Sequence, residues 1–141
     1  MYGDTEAIRR LARTMREQSA ALRDEASGLL TRAERAPWEG LAADAMRLRV
    51  REQTTALQHT AQLADTAAAA LDRHADEVDR LKALIAAIEQ QVLALVGAAK
   101  ERLSGLLDAV LPDPVDALLA RFVSPPSGHR DWLAVELPGL S

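Results

Sequence analysis

The sequence predicts an all-α protein: a long antiparallel helical hairpin followed by a short C-terminal helix. Three observations predict it. Apolar residues recur at alternating steps of three and four through two long segments. Those segments are separated by one strong break, Pro37-Trp38-Glu39-Gly40. Hydrophobic residues make up 48% of the 141-residue chain while aromatics make up only 3%, so the apolar content is mainly the Ala and Leu of thin helical seams.

The first helix begins after Met1–Asp4, with Asp4 or Thr5 as its cap and Glu6 near its positive end. Its apolar seam reads Ile8, Leu11, Met15, Leu22, Ala26, Leu29 and Ala33, with Gln18 as the polar exception. Pro37 forces Ala36 out of the helical region and ends the helix. This gives about 30 residues, or ~45 Å at the helical rise.

The second helix starts after Gly40. Its seam reads Ala43, Met46, Val50, Leu57, Ala64, Ala67, Leu71, Val78, Leu81, Ile85, Ile88, Val92, Leu95 and Ala99. The same register passes through Gln53, Thr60 and His74. No proline interrupts residues 41–110, and the expected length is about 60 residues, or ~90 Å. The first helix folded back therefore covers only the proximal half of the second. The stripe from Val78 to Ala99 is the most hydrophobic part of the chain, and a bare stripe of that size associates in water. Either a partner covers it or the C-terminal segment folds back onto it. Val78, Leu81, Ile85, Ile88, Val92 and Leu95 are the expected partner interface.

Residues 1–104 are read as the hairpin domain and 105–141 as a C-terminal extension. Leu103, Leu106, Leu107, Val110 and Leu111 continue an amphipathic pattern, which Pro112-Asp113-Pro114 breaks. Asp113 as cap with Pro114 at the first helical position starts a short last helix. Val115, Leu118, Leu119, Phe122 and Val123 form its expected apolar face. From Ser124 the tail reads as extended or partly disordered, with Trp132-Leu133 as a docking point.

Charge and chemistry exclude more than they assign. Net charge is −4, from 17 basic and 21 acidic residues, which argues against a general nucleic-acid binder. There is no cysteine, hence no disulfide and no thiolate chemistry. No hydrophobic run follows a basic start, so no Sec-type signal peptide is expected. Ala67–Ala70 is too short and too closely flanked by charge to span a membrane. The stretch from Arg102 to Val123 is too acidic for strong attraction to anionic lipid. No stable membrane insertion is expected.

His59, His74 and His129 have no helical spacing that would hold a metal. The carboxylates Asp72, Asp76, Glu77 and Asp79 alternate with Arg73 and Arg80 as a solvated helix face does. There is no phosphate loop, nucleophile elbow or Ser/His/Asp constellation. No enzyme, cofactor or metal is expected. His74 is expected on the seam, where it fixes register or, as a sharper reading, acts as a pH-sensitive residue.

The residues around the break resemble the WXG superfamily of type VII, or ESX-type, secretion substrates. The closer likeness is to the actinobacterial signal domain found at the N-terminus of larger substrates. It rests on Gly3-Asp4-Thr5-Glu6-Ala7-Ile8, on Leu11-Ala12-Arg13, and on Trp38-Glu39-Gly40-Leu41-Ala42-Ala43-Asp44-Ala45-Met46-Arg47. It covers about residues 3–100. The resemblance implies pairing with another WXG-like hairpin, as a homo- or heterodimer, so that self-association or a partner completes a four-helix bundle, and it implies contact with the secretion-apparatus ATPase. It also implies non-Sec export of the folded chain from a cytoplasmic pool, to the envelope or beyond, and no catalysis. Only Trp38 and Gly40 carry over as turn residues. The turn's Trp38 is expected either to clamp the helix ends or to meet the apparatus. The family's Tyr-x-x-x-Asp/Glu export signal beyond the second helix is missing. Tyr2 and Glu6 have its spacing but precede the first helix, and are read as coincidence. The expected function is a non-enzymatic secretion substrate or helical partner; the alternative is a structural or adaptor coiled-coil protein unrelated to secretion.

Overall fold

The computed structural model describes residues 4–105 and 113–140. Its elements are α1 (Thr5–Arg35), α2 (Leu41–Ser104), α3 (Pro114–Ala120) and a 3-10 turn at Arg130–Ala134. No strand occurs among the described residues. The chain packs as two compact units, one of residues 4–76 and the other containing residues 77–141. The single helix α2 contributes to both.

Local chemistry sets the boundaries. Asp4 caps α1, its carboxylate accepting from the Ala7 N–H at 3.2 Å. Asp113 caps α3 by accepting from the Val115 N–H at 2.8 Å, with Pro114 in the first turn. Ala36 leaves the helical region at ψ 127° before Pro37, and its N–H closes on the Arg32 carbonyl at 3.1 Å. Gly40 turns the chain at φ +110°, in open space where a Cβ would meet nothing within 4 Å. Glycine is needed there for the backbone and not for room.

The unit 4–76 closes on small residues. Thr5, Ala12, Ser19, Ala26 and Ala33 of α1 are buried, each seven residues after the last. On α2, Thr54, Ala61, Ala68 and Ala75 are buried at the same spacing. Side chains of this size let two helix backbones approach closely. The seam expected from the large apolar residues is therefore displaced. Ile8, Met15, Leu22 and Leu29 are half-buried beside the small row, and Leu11 is exposed.

Ion pairs between α1 and α2 fix the register of this unit. Arg9 pairs with Asp76 at 3.0 Å, Arg16 with Asp72 at 2.6 Å and Arg23 with Asp65 at 2.7 Å. Near the turn the polarity reverses, with Arg51 on Glu34 at 2.8 Å. The three α1 arginines stand four residues after Thr5, Ala12 and Ser19, about 40° to one side of the small row. Ile8, Met15 and Leu22 stand three residues after the same positions, about 60° to the other side. The hairpin thus has a charged edge and an apolar edge. Ser19 joins the charged side, its hydroxyl accepting from Arg23. A hydrogen bond from Ser19, then Arg23, holds the Asp65 carboxyl below the usual range.

In the unit 77–141 a different row of α2 is buried: Val78, Ile85, Val92 and Ala99, with Val96 beside it. The tail packs on this row. Trp132, 1% exposed, sits against Ile85, Val92 and Val96. Ile88, Phe122, Val135, Leu137 and Leu140 complete the cluster. Two polar contacts pin the tail. Arg102 donates to both carboxylate oxygens of the buried Asp116, at 2.8 and 2.6 Å. The Gly128 N–H donates to Glu89 at 3.2 Å. Of the expected apolar face on the last helix, Leu119 is buried and Phe122 joins the cluster, while Val115, Leu118 and Val123 are exposed. The segment from Ser124, expected as extended or partly disordered, contains an ordered 3-10 turn because Trp132 gives it a core. Leu106, Leu107, Val110, Leu111 and Pro112 lie outside the described residues.

Candidate functional site

The turn between α1 and α2 is organised by an arginine. Arg47 donates from Nε to the Ala33 carbonyl at 3.1 Å, and from Nη2 to the carbonyls of Ala36 at 3.0 Å and Trp38 at 2.6 Å. Its Nη1 lies 3.7 Å from Asp44. One planar guanidinium thus satisfies carbonyls that a helix C-terminus leaves without partners, and opposes the negative end of the α1 dipole. Gly40 supplies the first carbonyl of α2, accepting from the Asp44 N–H at 3.0 Å.

Trp38 does something else. The residue is half exposed, at 50%, and its part in the clamp is played by its backbone carbonyl. Leu41, at 89%, and Leu48 are also exposed. Ala42, Ala45, Met46 and Arg49 line a hollow of about 330 Å³ on the first turns of α2. Arg47 stands in the sequence seven residues after Gly40, with its charge at the end of the preceding helix. That placement is the signal that could have marked it as the clamp.

A larger groove of about 560 Å³ lies on the apolar edge of the hairpin. Leu22, Leu29 and Leu57 form its floor and walls, with Ala21, Gln18 and Glu25. Val50, Leu57, Ala64 and Leu71, the α2 row three residues beyond the buried small row, are half-buried along their length.

The expected site residues are distributed as follows. Trp38 and Gly40 are at the turn. Val78, Ile85 and Val92 are buried, and Leu81, Ile88 and Leu95 are half-buried. Of the two covers envisaged for this stripe, the folded-back C-terminal segment is the one seen over Ile85 and Val92. His74 is not on the seam. It is exposed, and its neighbour Ala75 takes the buried position. The small row of α1 selects Thr54, Ala61, Ala68 and Ala75 on α2, and this turns the row of Gln53, Thr60 and His74 outward. Tyr2 lies outside the described residues. No group of three His, Cys, Asp or Glu able to hold a metal occurs among the described residues.

A family model described as the putative T7SS secretion signal domain matches residues 1–94. The chain belongs to this family. The matched region includes all of α1, the Trp38–Gly40 turn, Arg47 and α2 as far as Ala94. No curated protein and no solved structure matches the chain significantly. Membership in the type VII secretion signal family makes this a secretion-related chain and implies export through a type VII system. An 18-residue window of α2 reaches a mean hydropathy of 1.5, so this helix is long and apolar enough to cross a membrane by length and composition. The stretch of α2 that combines this hydropathy with so few charges lies beyond Arg80, where the tail packs.

Proposed function

We propose that this signal domain is presented for export as a pair, the apolar edge of its hairpin closing on a second helical hairpin to complete a four-helix bundle. The observation that carries this reading is the half-buried double row on one side of the hairpin. Ile8, Met15, Leu22 and Leu29 run along α1, and Val50, Leu57, Ala64 and Leu71 along α2. Leu22, Leu29 and Leu57 of these rows line a groove that is mostly apolar, together with Ala21, Gln18 and Glu25. A surface of this kind on a thin alanine-seamed hairpin marks an association face. The opposite edge, laddered with Arg–Asp pairs, is already satisfied within the chain.

The turn supplies the second half of the reading. Arg47 holds the backbone rigid, and the ring of Trp38 projects from it with Leu41 beside it in sequence. An amphipathic ring fixed on a rigid turn suits recognition by the secretion apparatus, with its ATPase the proposed contact. The chain would wait in the cytoplasm as the folded pair and leave without a cleaved signal.

The test is export from cells with an intact type VII system, measured beside mass in solution. Leu22→Glu with Leu57→Glu places two charges in the groove and should abolish both pairing and export. Export of that variant at wild-type level, while it remains a folded monomer, would refute the pairing requirement.

A further inference from the structure

The distal half of α2 carries two heptad rows, Val78/Ile85/Val92/Ala99 and Leu81/Ile88/Leu95, with no charged residue in either. Two adjacent apolar rows over three heptads are the pattern of a coiled-coil seam. Such a seam is self-complementary: in a two-fold pair, residue i meets j and j meets i. Glu89 and Lys82 flank it one heptad apart, with Ile85 between them. An antiparallel pair in which Ile85 of one copy meets Ile88 of the other sets Val78 of one copy against Leu95 of the other, and Leu81 against Val92. It also brings Lys82 of one copy to Glu89 of the other.

The tail now occupies this seam. Its anchor is Trp132, whose indole N–H donates to the Pro126 carbonyl at 3.0 Å, so ring and preceding turn form one plug. The plug is held by Asp116 on Arg102 and by the Gly128 N–H on Glu89. The cover is incomplete. A hollow of about 310 Å³ remains beside Ile88, bounded by Val135, Glu136, Leu137 and Leu140.

We propose that the tail is an autoinhibitory cover over a self-association face. With the tail seated, the seam is covered around Ile85, Val92 and Val96. With it lifted, the seam pairs antiparallel with the same seam of a second copy. Glu89 serves both states but one at a time, accepting either from Gly128 of its own chain or from Lys82 of the other copy. This face is separate from the groove on the hairpin, and the inference does not depend on pairing there.

The chain has no cysteine, so single thiols report cleanly in the full-length protein. All variants carry Leu22→Glu and Leu57→Glu, which removes hairpin pairing from the readout. Val92→Cys, beneath the plug, should react with a maleimide at least about tenfold more slowly than the exposed Ala87→Cys, because labelling requires local opening. Adding Trp132→Ala together with Lys82→Glu, which keeps the uncovered seam unpaired, should bring the two rates to within about twofold. With Val92 intact, Trp132→Ala should double the mass in solution. Asp116→Arg, which repels Arg102 and leaves the core residues unchanged, should give the same doubling if Trp132→Ala fails to fold. Lys82→Glu should then return the mass to that of one chain, and Lys82→Glu with Glu89→Lys should restore the doubling. Equal labelling of Val92→Cys and Ala87→Cys in the chain with Trp132 would overturn the cover. Fast labelling without a change of mass in the loosened variants would overturn the self-association face.

Discussion

The Arg47 guanidinium holds the Trp38 carbonyl at 2.6 Å, and with it the carbonyls of Ala33 and Ala36. The residue that secures the turn therefore lies on α2, and the tryptophan that draws the eye in the sequence takes part through its backbone. Removing Arg47 strands three carbonyls at the end of α1. Arg47→Ala should lower stability by about 2 kcal/mol, within the range for charge-assisted hydrogen bonds. Arg47→Lys should recover less than half of that, because an ammonium cannot span three acceptors in one plane. Urea unfolding followed by helical circular dichroism measures both.

Trp38→Ala should separate folding from recognition. The residue is half exposed, so the variant should unfold within about 1 kcal/mol of wild type, unlike truncation of a buried aromatic. Its export should nevertheless fall sharply if the projecting indole is read by the apparatus. Gly40→Ala should act the opposite way, costing about 1–2 kcal/mol through the positive φ alone.

The small row tolerates no enlargement. Ala26→Leu or Ala61→Leu should each cost about 1–3 kcal/mol by overpacking, with Tm falling in step. Leu11→Ala, at an exposed position, should be nearly silent, although the apolar periodicity places both kinds of residue on the same seam.

Acid should act through Asp65 and Asp116. Ser19 and then Arg23 lower the Asp65 carboxyl, and Arg102 lowers that of Asp116, from an ordinary 3.8. A carboxyl lowered by folding stabilises the protein fully above its unfolded value and loses that contribution as pH falls through the folded one. Stability from these two groups should thus be flat from pH 7 to 5 and fall below 3.8. Asp65→Asn and Asp116→Asn should flatten that acid limb. His74→Gln should leave the pH dependence of assembly unchanged; a shifted profile would return His74 to the interface.

The helix boundaries were legible in the sequence because they rest on local chemistry. Asp4, Pro37, Gly40, Asp113 and Pro114 each mark an end where the chain turns. The packing face was less legible. Hydrophobicity ranks Leu11 and Leu22 above Ala12 and Ser19, yet close helix approach rewards small volume, so the buried row is the one that hydrophobicity ranks lower. The strict spacing of Ala12, Ser19, Ala26 and Ala33 was the available signal. Ala26, Ala33 and Ala43 of the expected seam are buried; His74 was misplaced because the large apolar residues of α2 set a register through Gln53, Thr60 and His74, while the buried row is Thr54, Ala61, Ala68 and Ala75. The tail was hidden for another reason. A proline- and glycine-punctuated segment resembles a linker until its single tryptophan finds Ile85, Val92 and Val96, and those contacts span some forty positions of sequence, as residues 92 and 132 do.

The row that closes the hairpin and the row left half-buried on its apolar edge are different residues. Ala12, Ser19, Ala26 and Ala33 are constrained by volume, while Met15, Leu22 and Leu29 are constrained only by what they meet. Substitution can therefore reshape the outer row without disturbing closure of the hairpin. If the apolar edge pairs as proposed, such a scaffold can exchange one companion for another over evolutionary time while its own folding remains intact.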